Sequence, residues 1–447
     1  MLQLHWIDLT ILAAYLVGVL VLGLYVASRE EGTSEEYFVA GRKLGWFVIG
    51  ASLFASNISS EHLVGLAADG FRTGFGVGNY ELSASLILII LGAVFVPFYI
   101  GTRIQTLPEF LEKRFGSGAR IYLSAMTVTA NVLVRISVAL FAGGLVIEKI
   151  FGITFWVGIV VLALVTVLYT AAGGLKAVVY TDVAQTVILL MGTAVITLLA
   201  LERVGGWEAL RASLEPSMFD MVRPASDPEM PWTGLVFGVP VLGIWYWCTD
   251  QVIAQRVLGA KDLQNARMGA LFAGFLKILP LFLFVLPGLC GRVLFPETSP
   301  NEIFPKLVTE ILPIGAKGLV AAALIAALMS SIDSTLNSTG TLIALDFYSK
   351  WKKKSEPTQK ELVKVGRVST VVVMVFGILW VHVVMRAESL FQYLQQVNAA
   401  ISPPIAAAFV VGVFWKRANH KGVLTALLGG FAFGIALLAW NAFPFLI

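Results

Sequence analysis

Residues 51–70 read ASLFASNISSEHLVGLAADG, a stretch that starts and ends as a membrane helix does and turns polar at Ser56, Asn57, Ser59, Ser60, Glu61 and His62. Lipid offers no hydrogen-bond partners, so such a run is tolerated at membrane depth only where protein buries it or a watery cavity solvates it. Two readings follow. One is an interrupted membrane helix, of the kind that lines ion and solute sites. The other is a hydrophilic loop between two short apolar pieces.

Composition favours the membrane. Of 447 residues, 57% are hydrophobic and 13% charged, against roughly 25% charged in an average soluble domain. The beginning, MLQLHWIDLT, carries no basic region before its apolar run, which predicts a retained first helix rather than a signal peptide. A net charge of +4 belongs to loop lysines and does not indicate a nucleic-acid surface. Cys248 and Cys290 both lie in apolar segments, and His5, His62, His382 and His420 are scattered without metal-ligand spacing.

Apolar windows predict twelve spans, near residues 6–27, 45–71, 75–101, 120–148, 152–171, 179–202, 232–255, 268–295, 318–347, 365–385, 389–414 and 421–443. The connections after odd-numbered spans hold 21 Lys and Arg and those after even-numbered spans hold 9. The positive-inside rule then puts the first set in the cytoplasm and the N-terminus outside a cell membrane, plasma or bacterial inner. If the first helix is peripheral, spans 2–6 and 7–11 form two sets of five with opposite topology. Each set opens on a polar, interrupted helix, the second being LGIWYWCTDQVIAQR at 242–256, where Thr249, Asp250 and Gln251 break an aromatic run. The expected fold is therefore all-α and polytopic, with a 5+5 inverted repeat. Its divisions fall at 1–44, 45–202, 203–231 (an extracellular loop), 232–415 and 416–447.

Charged residues at membrane depth cost about 2.5–3.5 kcal/mol each, which marks Glu61, Glu81, Arg135, Asp182, Asp250, Lys277 and Asp333 as groups that need partners or water. In the ninth span, ALMSSIDSTLNSTGTL at 327–342 places Ser330, Asp333, Ser334, Asn337 and Thr341 on one helix face. Hydroxyls and carboxylates are hard ligands suited to an alkali cation. Close helix packing would also use Ser and Thr, although it has no need of a carboxylate.

Taken together, GASLFASNISSEHLVGLA, GGLKAVVYTDVAQTVILL at 173–190, WYWCTDQVIAQR at 245–256, LMSSIDSTLNST and PPIAAAFVVGVFWKRAN at 403–419 resemble the sodium:solute symporters, and within them the sodium/glucose cotransporter branch. The resemblance implies a leucine-transporter-like fold and sodium-driven uptake of a polar solute. It implies a sodium site of the Ala55, Ile58 and Ala327 carbonyls with the Ser330 and Ser331 hydroxyls. It implies a second sodium set at Asp182, Ser330, Asp333 and Ser334, in which Asp333 stands where such a member has serine. Asp182 has an equal alternative as a link between the helices of the first site. Sugar contacts are implied for Asn57, His62, Glu81, Lys277 and Gln395, with Tyr246 and Trp247 as aromatic planes. Carboxylate, amide and ammonium groups beside an aromatic plane match the polar fringe and apolar face of a hexose. The implied gates are Leu66, Tyr80 and Phe391 outside and Tyr246 inside.

Departures leave the substrate open. Gly243 and Ala84 stand where one type of relative directs an asparagine and a serine toward sugar, and Arg135 occupies a helix on which an arginine binds an acidic sugar in sialic-acid-type members. The expected function is sodium-coupled import of a neutral hexose such as glucose or galactose by alternating access. An acidic sugar is the alternative substrate, internal pairing the alternative role for Arg135, and coupling to protons through Asp182 or Asp333 an alternative to sodium. A sensor or channel on the same fold is the alternative class. No HExxH, clustered metal ligands or nucleophile–base pair suggests an enzyme.

Overall fold

The structure, a computed structural model, describes residues 5–29, 32–227, 230–352, 356–386 and 390–440, without the side chains of 60–61, 149–151, 390–397, 399–400 and 438–440. Its membrane elements are α1 Trp6–Ala27, the broken pair α2 Trp46–Asn57 and α3 Ser60–Thr73, and α4 over 79–101. After the short helix α5 Leu107–Phe115 come α6 Ser117–Glu148 and α7 Phe155–Val204. A second broken pair, α8 Gly234–Cys248 and α9 Gln251–Leu258, bends by 51°. Then follow α10 Leu263–Leu294, α11 Ala316–Trp351, α12 Gln359–Val384, α13 Leu390–Phe414 and α14 His420–Trp440.

Among the described residues, eight helical stretches are long and apolar enough to cross a membrane, one of them His62–Gly101 running from α3 through α4, or nine with the bent pair. The twelve-span reading is completed by the α2–α3 pair, by α13, and by α7. At 50 residues α7 is about twice the length of one crossing. Gly174, at φ +48° and ψ −143°, turns it back, and Tyr169 and Asp182 on either side of the turn reach one side-chain cluster. The loop expected at 172–178 is thus a single-residue reversal. Only glycine adopts that backbone, and a Cβ there would meet the Tyr37 carbonyl at 2.3 Å. Gly174→Ala is expected to cost more than the about 1–3 kcal/mol of the strained dihedrals alone. The fall shows in the Tm of the purified protein, and an unchanged Tm would mean that Tyr37 does not hold the turn.

The helix breaks fall where polar residues interrupt apolar runs. Ile58 and Ser59 are extended, at φ −79°, ψ 117° and φ −113°, ψ 174°, so the last carbonyls of α2 are released from the helix. In the second pair, Thr249 and Asp250 leave the helix, and the Asp250 carboxylate caps α9 by accepting from Val252 N–H. The two pairs are tied by backbone: Leu44 N–H donates to Gly259 O at 3.0 Å, and Lys261 N–H to Leu44 O at 3.1 Å. Helix α1 stands outside both sets. Its buried Asp8 accepts from the N–H groups of Gly315 and Gly318, each at 2.8 Å, capping α11.

Arg120, a cation counted with the connections, is buried. Arg120 binds Asp346 and Glu112, with its Nε 2.8 Å from Asp346 Oδ1, and Thr106 and Ser124 also donate to Asp346. Lys350 Nζ lies 3.0 Å from Glu112 Oε1. Partial burial pushes the Glu112 carboxyl up, but the hydrogen bonds from Arg120 and Lys350 outweigh it and hold it below the usual glutamate range. Arg114 of α5 donates to the carbonyls of Gly412, Trp415, Lys416 and Ala418, which end α13. Helix α5 therefore staples α6, α11 and α13 together on one side of the membrane.

Candidate functional site

Three polar clusters meet around the break at Ile58–Ser59. In the first, Ser330 Oγ donates to Ala55 O at 2.8 Å and lies 3.2 Å from Ala327 O; Ser331 Oγ lies 3.3 Å from Ile58 O and 3.1 Å from Ala327 O. All five oxygens expected to hold sodium converge, three carbonyls and two hydroxyls. The set is neutral, which suits a monovalent ion, since a divalent cation calls for carboxylates. No group of three His, Cys, Asp or Glu among the described residues is arranged to hold a metal.

The second cluster is ionic. Asp182 Oδ2 accepts from Ser52 Oγ at 2.5 Å and Ser56 Oγ at 3.2 Å, and lies 3.5 Å from Arg256 Nη2. Asp333 accepts from Tyr169 OH at 2.5 Å and Ser334 Oγ at 3.1 Å, and Ser334 Oγ lies 2.9 Å from Ser56 Oγ. Arg256 is fully buried and also reaches Ser334, Ser52 and the Val252 carbonyl. The expected second sodium set therefore already contains a guanidinium, bridging Asp182 and Ser334, while Ser330 belongs to the first cluster. Arg256 escaped the sequence reading because it lies only six residues beyond Asp250, where hydropathy places a helix end. Its signal was the pair of unpartnered carboxylates, Asp182 and Asp333, which required a cation.

In the third cluster Lys277, 1% exposed, places Nζ 2.5 Å from Glu81 Oε2 and 5.4 Å from the Trp247 ring centroid. Pro280 lacks an N–H, which loosens α10 where Lys277 sits. Ser59 N–H donates to His62 Nδ1 at 3.2 Å, leaving the imidazole proton on Nε2, 3.7 Å from Glu81 Oε1. Asn57 Oδ1 is buried with no hydrogen-bond partner among the described residues. Tyr246 and Trp247 lie in a π-helical turn, Ile244–Cys248, at the end of α8, a distortion frequent at functional sites.

Arg135 pairs with Asp250, and its guanidinium carbon lies 5.7 Å from the ring centroids of both Trp245 and Tyr246. Of its two expected roles, the structure shows the internal pairing. Every charged group flagged at membrane depth whose side chain is described now has a partner: Glu81 with Lys277, Arg135 with Asp250, Asp182 with Arg256, and Asp333 with Tyr169. Leu66 and Tyr80 share one apolar cluster and Tyr246 packs against another. The side chains of Glu61, Phe391 and Gln395 lie outside the described residues.

Residues 37–430 match the profile of the sodium:solute symporter family. The chain is 39% identical to sodium/glucose cotransporter 1 of Oryctolagus cuniculus, covering 96% of this chain and 71% of that one. It is 38% identical to sodium/glucose cotransporter 4 of Danio rerio, covering 96% and 71%. Identity to sodium/myo-inositol cotransporter 2 of Homo sapiens is 37%, covering 96% and 69%. Among solved structures, the substrate-bound outward-open state of a Na+-coupled sialic acid symporter superposes with a TM-score of 0.88 at 24% identity, covering 99% and 93%. The closed conformation of Mhp1, a nucleobase-cation-symport-1 family transporter, gives 0.60 at 15% identity, covering 92% and 95%.

Proposed function

Because the chain belongs to the sodium:solute symporter family, we infer that it is a sodium-coupled sugar symporter working by alternating access on the leucine-transporter-like fold. The observation that carries this reading is that one helix break serves two sites. Ala55 and Ile58 turn their carbonyls to Ser330 and Ser331, while just past the break His62 faces Glu81, the partner of Lys277, and just before it Asn57 buries an amide oxygen with no hydrogen-bond partner among the described residues. A sodium ion held by the five oxygens would fix the backbone from which the sugar contacts project. Binding of either ligand then favours the conformation that suits the other, which is the thermodynamic content of coupling.

The substrate reading is a neutral hexose such as glucose or galactose. Lys277, Glu81 and His62 offer donors and an acceptor, Trp247 an apolar plane, and the unpartnered Asn57 Oδ1 waits for a hydroxyl. Arg135 is neutralised by Asp250, which disfavours an acidic sugar. We place Gln395 in the same site and Leu66, Tyr80 and Phe391 at its outer gate by family resemblance, with Tyr246 as the inner lid. The lysine-rich connections favour an orientation with the N-terminus outside. One charge crossing 100 mV gains about 2.3 kcal/mol, roughly a fifty-fold accumulation.

The test is uptake into proteoliposomes under an inward sodium gradient, with potassium as control and neutral and acidic sugars as competitors. Accumulation above equilibrium, competed by neutral hexoses, supports the reading. Binding without accumulation points to a sensor or channel, and competition by acidic sugars alone returns Arg135 to the site. Ser331→Ala removes one sodium oxygen, so half-saturating sodium is expected to rise roughly ten- to a hundredfold, matching about 1.5–3 kcal/mol for a contact to a charge. Sugar affinity at saturating sodium stays near wild type; unchanged sodium dependence would remove Ser331 from the site.

A further inference from the structure

On the outside of the helix bundle, at the end of the membrane where Lys and Arg concentrate, a groove of about 670 Å³ runs between the end of α1, the Gly174 turn of α7 and the first turns of α12. Its α12 wall is one stripe: Arg367 lies at the aqueous end and Val368, Val371 and Val372 lead inward, the pair 367–368 facing the same way as the pair 371–372 one turn later, and all four are exposed. Lys364, one turn before Arg367, is exposed on the same face. Leu24 forms the opposite wall, and Ala171 and Ala172 keep the floor low. Arg367 is the groove's sole charged lining residue among those described. It is held in place by a 3.0 Å hydrogen bond from Nη2 to Ala172 O and by the Tyr37 ring, 5.7 Å away. One hydrogen bond uses a single N–H of the five a guanidinium offers, so donors remain for an anion at the mouth.

An apolar trough open to hydrocarbon and closed at the interface by a fixed cation has the polarity of a phospholipid: phosphate at the mouth, acyl chain along the valines. Basic pockets between membrane helices select anionic headgroups in this way. We propose that the groove is a binding site for one anionic phospholipid from the adjoining leaflet, recognised by Arg367 with Lys364. The lipid would join α1, which belongs to neither five-helix set, to α7 of the first set and α12 of the second. It would lie directly over the turn that links the two crossings of α7, because Tyr37, which supports Arg367, also donates to Ala171 O at 3.1 Å.

Native mass spectrometry of the full chain, titrated with phosphatidylglycerol and with phosphatidylcholine of identical acyl chains, tests this. Wild type is expected to retain phosphatidylglycerol at least fivefold better. Val371→Trp fills the trough without altering charge and should erase that preference. Arg367→Gln should bring the two lipids to equal retention, with Arg367→Lys restoring part of the difference and Tm measured alongside as a check on folding. Equal retention by wild type, a preference that survives Val371→Trp, or displacement of the lipid by inorganic phosphate would each overturn the proposal.

Discussion

Lys277→Gln is expected to destabilise the protein by about 3–5 kcal/mol and to reduce sodium-driven sugar uptake at least a hundredfold. The two effects have separable causes. Lys277 and Glu81 form a buried pair at 2.5 Å, 1% and 6% exposed at the side chain. Removing one member leaves the other charge without compensation in a low-dielectric interior, which is what costs about 3–5 kcal/mol. His62 Nε2, 3.7 Å from the other Glu81 oxygen, replaces only part of what is lost. The double variant Lys277→Gln/Glu81→Gln carries no orphaned charge and should recover most of the stability, because a buried ion pair is often worth little net of its desolvation. It should not recover transport. Charge-assisted hydrogen bonds to sugar hydroxyls are worth about 1.5–3 kcal/mol each, so losing two weakens binding by roughly a hundredfold or more. Thermal unfolding and labelled-sugar uptake, measured on both variants, separate the roles. A double variant that is stable and transports normally would show the pair to be structural and move the sugar elsewhere.

Much of the fold was legible because its signals are local. A polar run inside an apolar one marks a helix break, and both breaks, at Ile58–Ser59 and Thr249–Asp250, fall where residue chemistry put them. The face of Ser330, Asp333 and Ser334 followed from helical spacing alone. The reversal at Gly174 was anticipated as a loop because hydropathy measures where apolar runs pause and not how tightly backbone can turn, a property set by positive φ. Pairings were the illegible part. Arg135 and Asp250 lie 115 positions apart, and Lys277 and Glu81 lie 196 apart. Sequence stated that each charge needed a partner and could not say which. Arg256 and Arg120 were assigned to loops because a cation near the end of an apolar run has the same local signature whether it snorkels to water or turns inward to a carboxylate. Only the partners, Asp182 and Asp346, distinguish the two cases.

Arg256→Met should cost about 3–5 kcal/mol in sodium-free buffer, and this variant decides how many cations the central cluster takes. Two carboxylates, Asp182 and Asp333, share one guanidinium. Tyr169 and three serines satisfy further lone pairs without adding charge, and Asp182 Oδ1 has no hydrogen-bond partner among the described residues. Deleting the guanidinium strands Asp182 as a buried anion. Adding Asp182→Asn should return most of the loss, which distinguishes stranded charge from a packing defect, since the cavity left by the arginine remains in both. Sodium then reports on access. Any ion that binds only the folded state stabilises it by RT ln(1 + [L]/Kd), about 2.7 kcal/mol at a hundred times Kd. In wild type that increment is expected from the proposed site, the five neutral oxygens around Ser330 and Ser331. In Arg256→Met, a cation entering between Asp182, Asp333 and Ser334 adds a second increment, so Tm should climb more steeply with sodium than in wild type, and Asp182→Asn should cancel the excess. Parallel slopes in all three proteins would mean that Arg256 is the resident cation of this cluster and that a single sodium site drives transport.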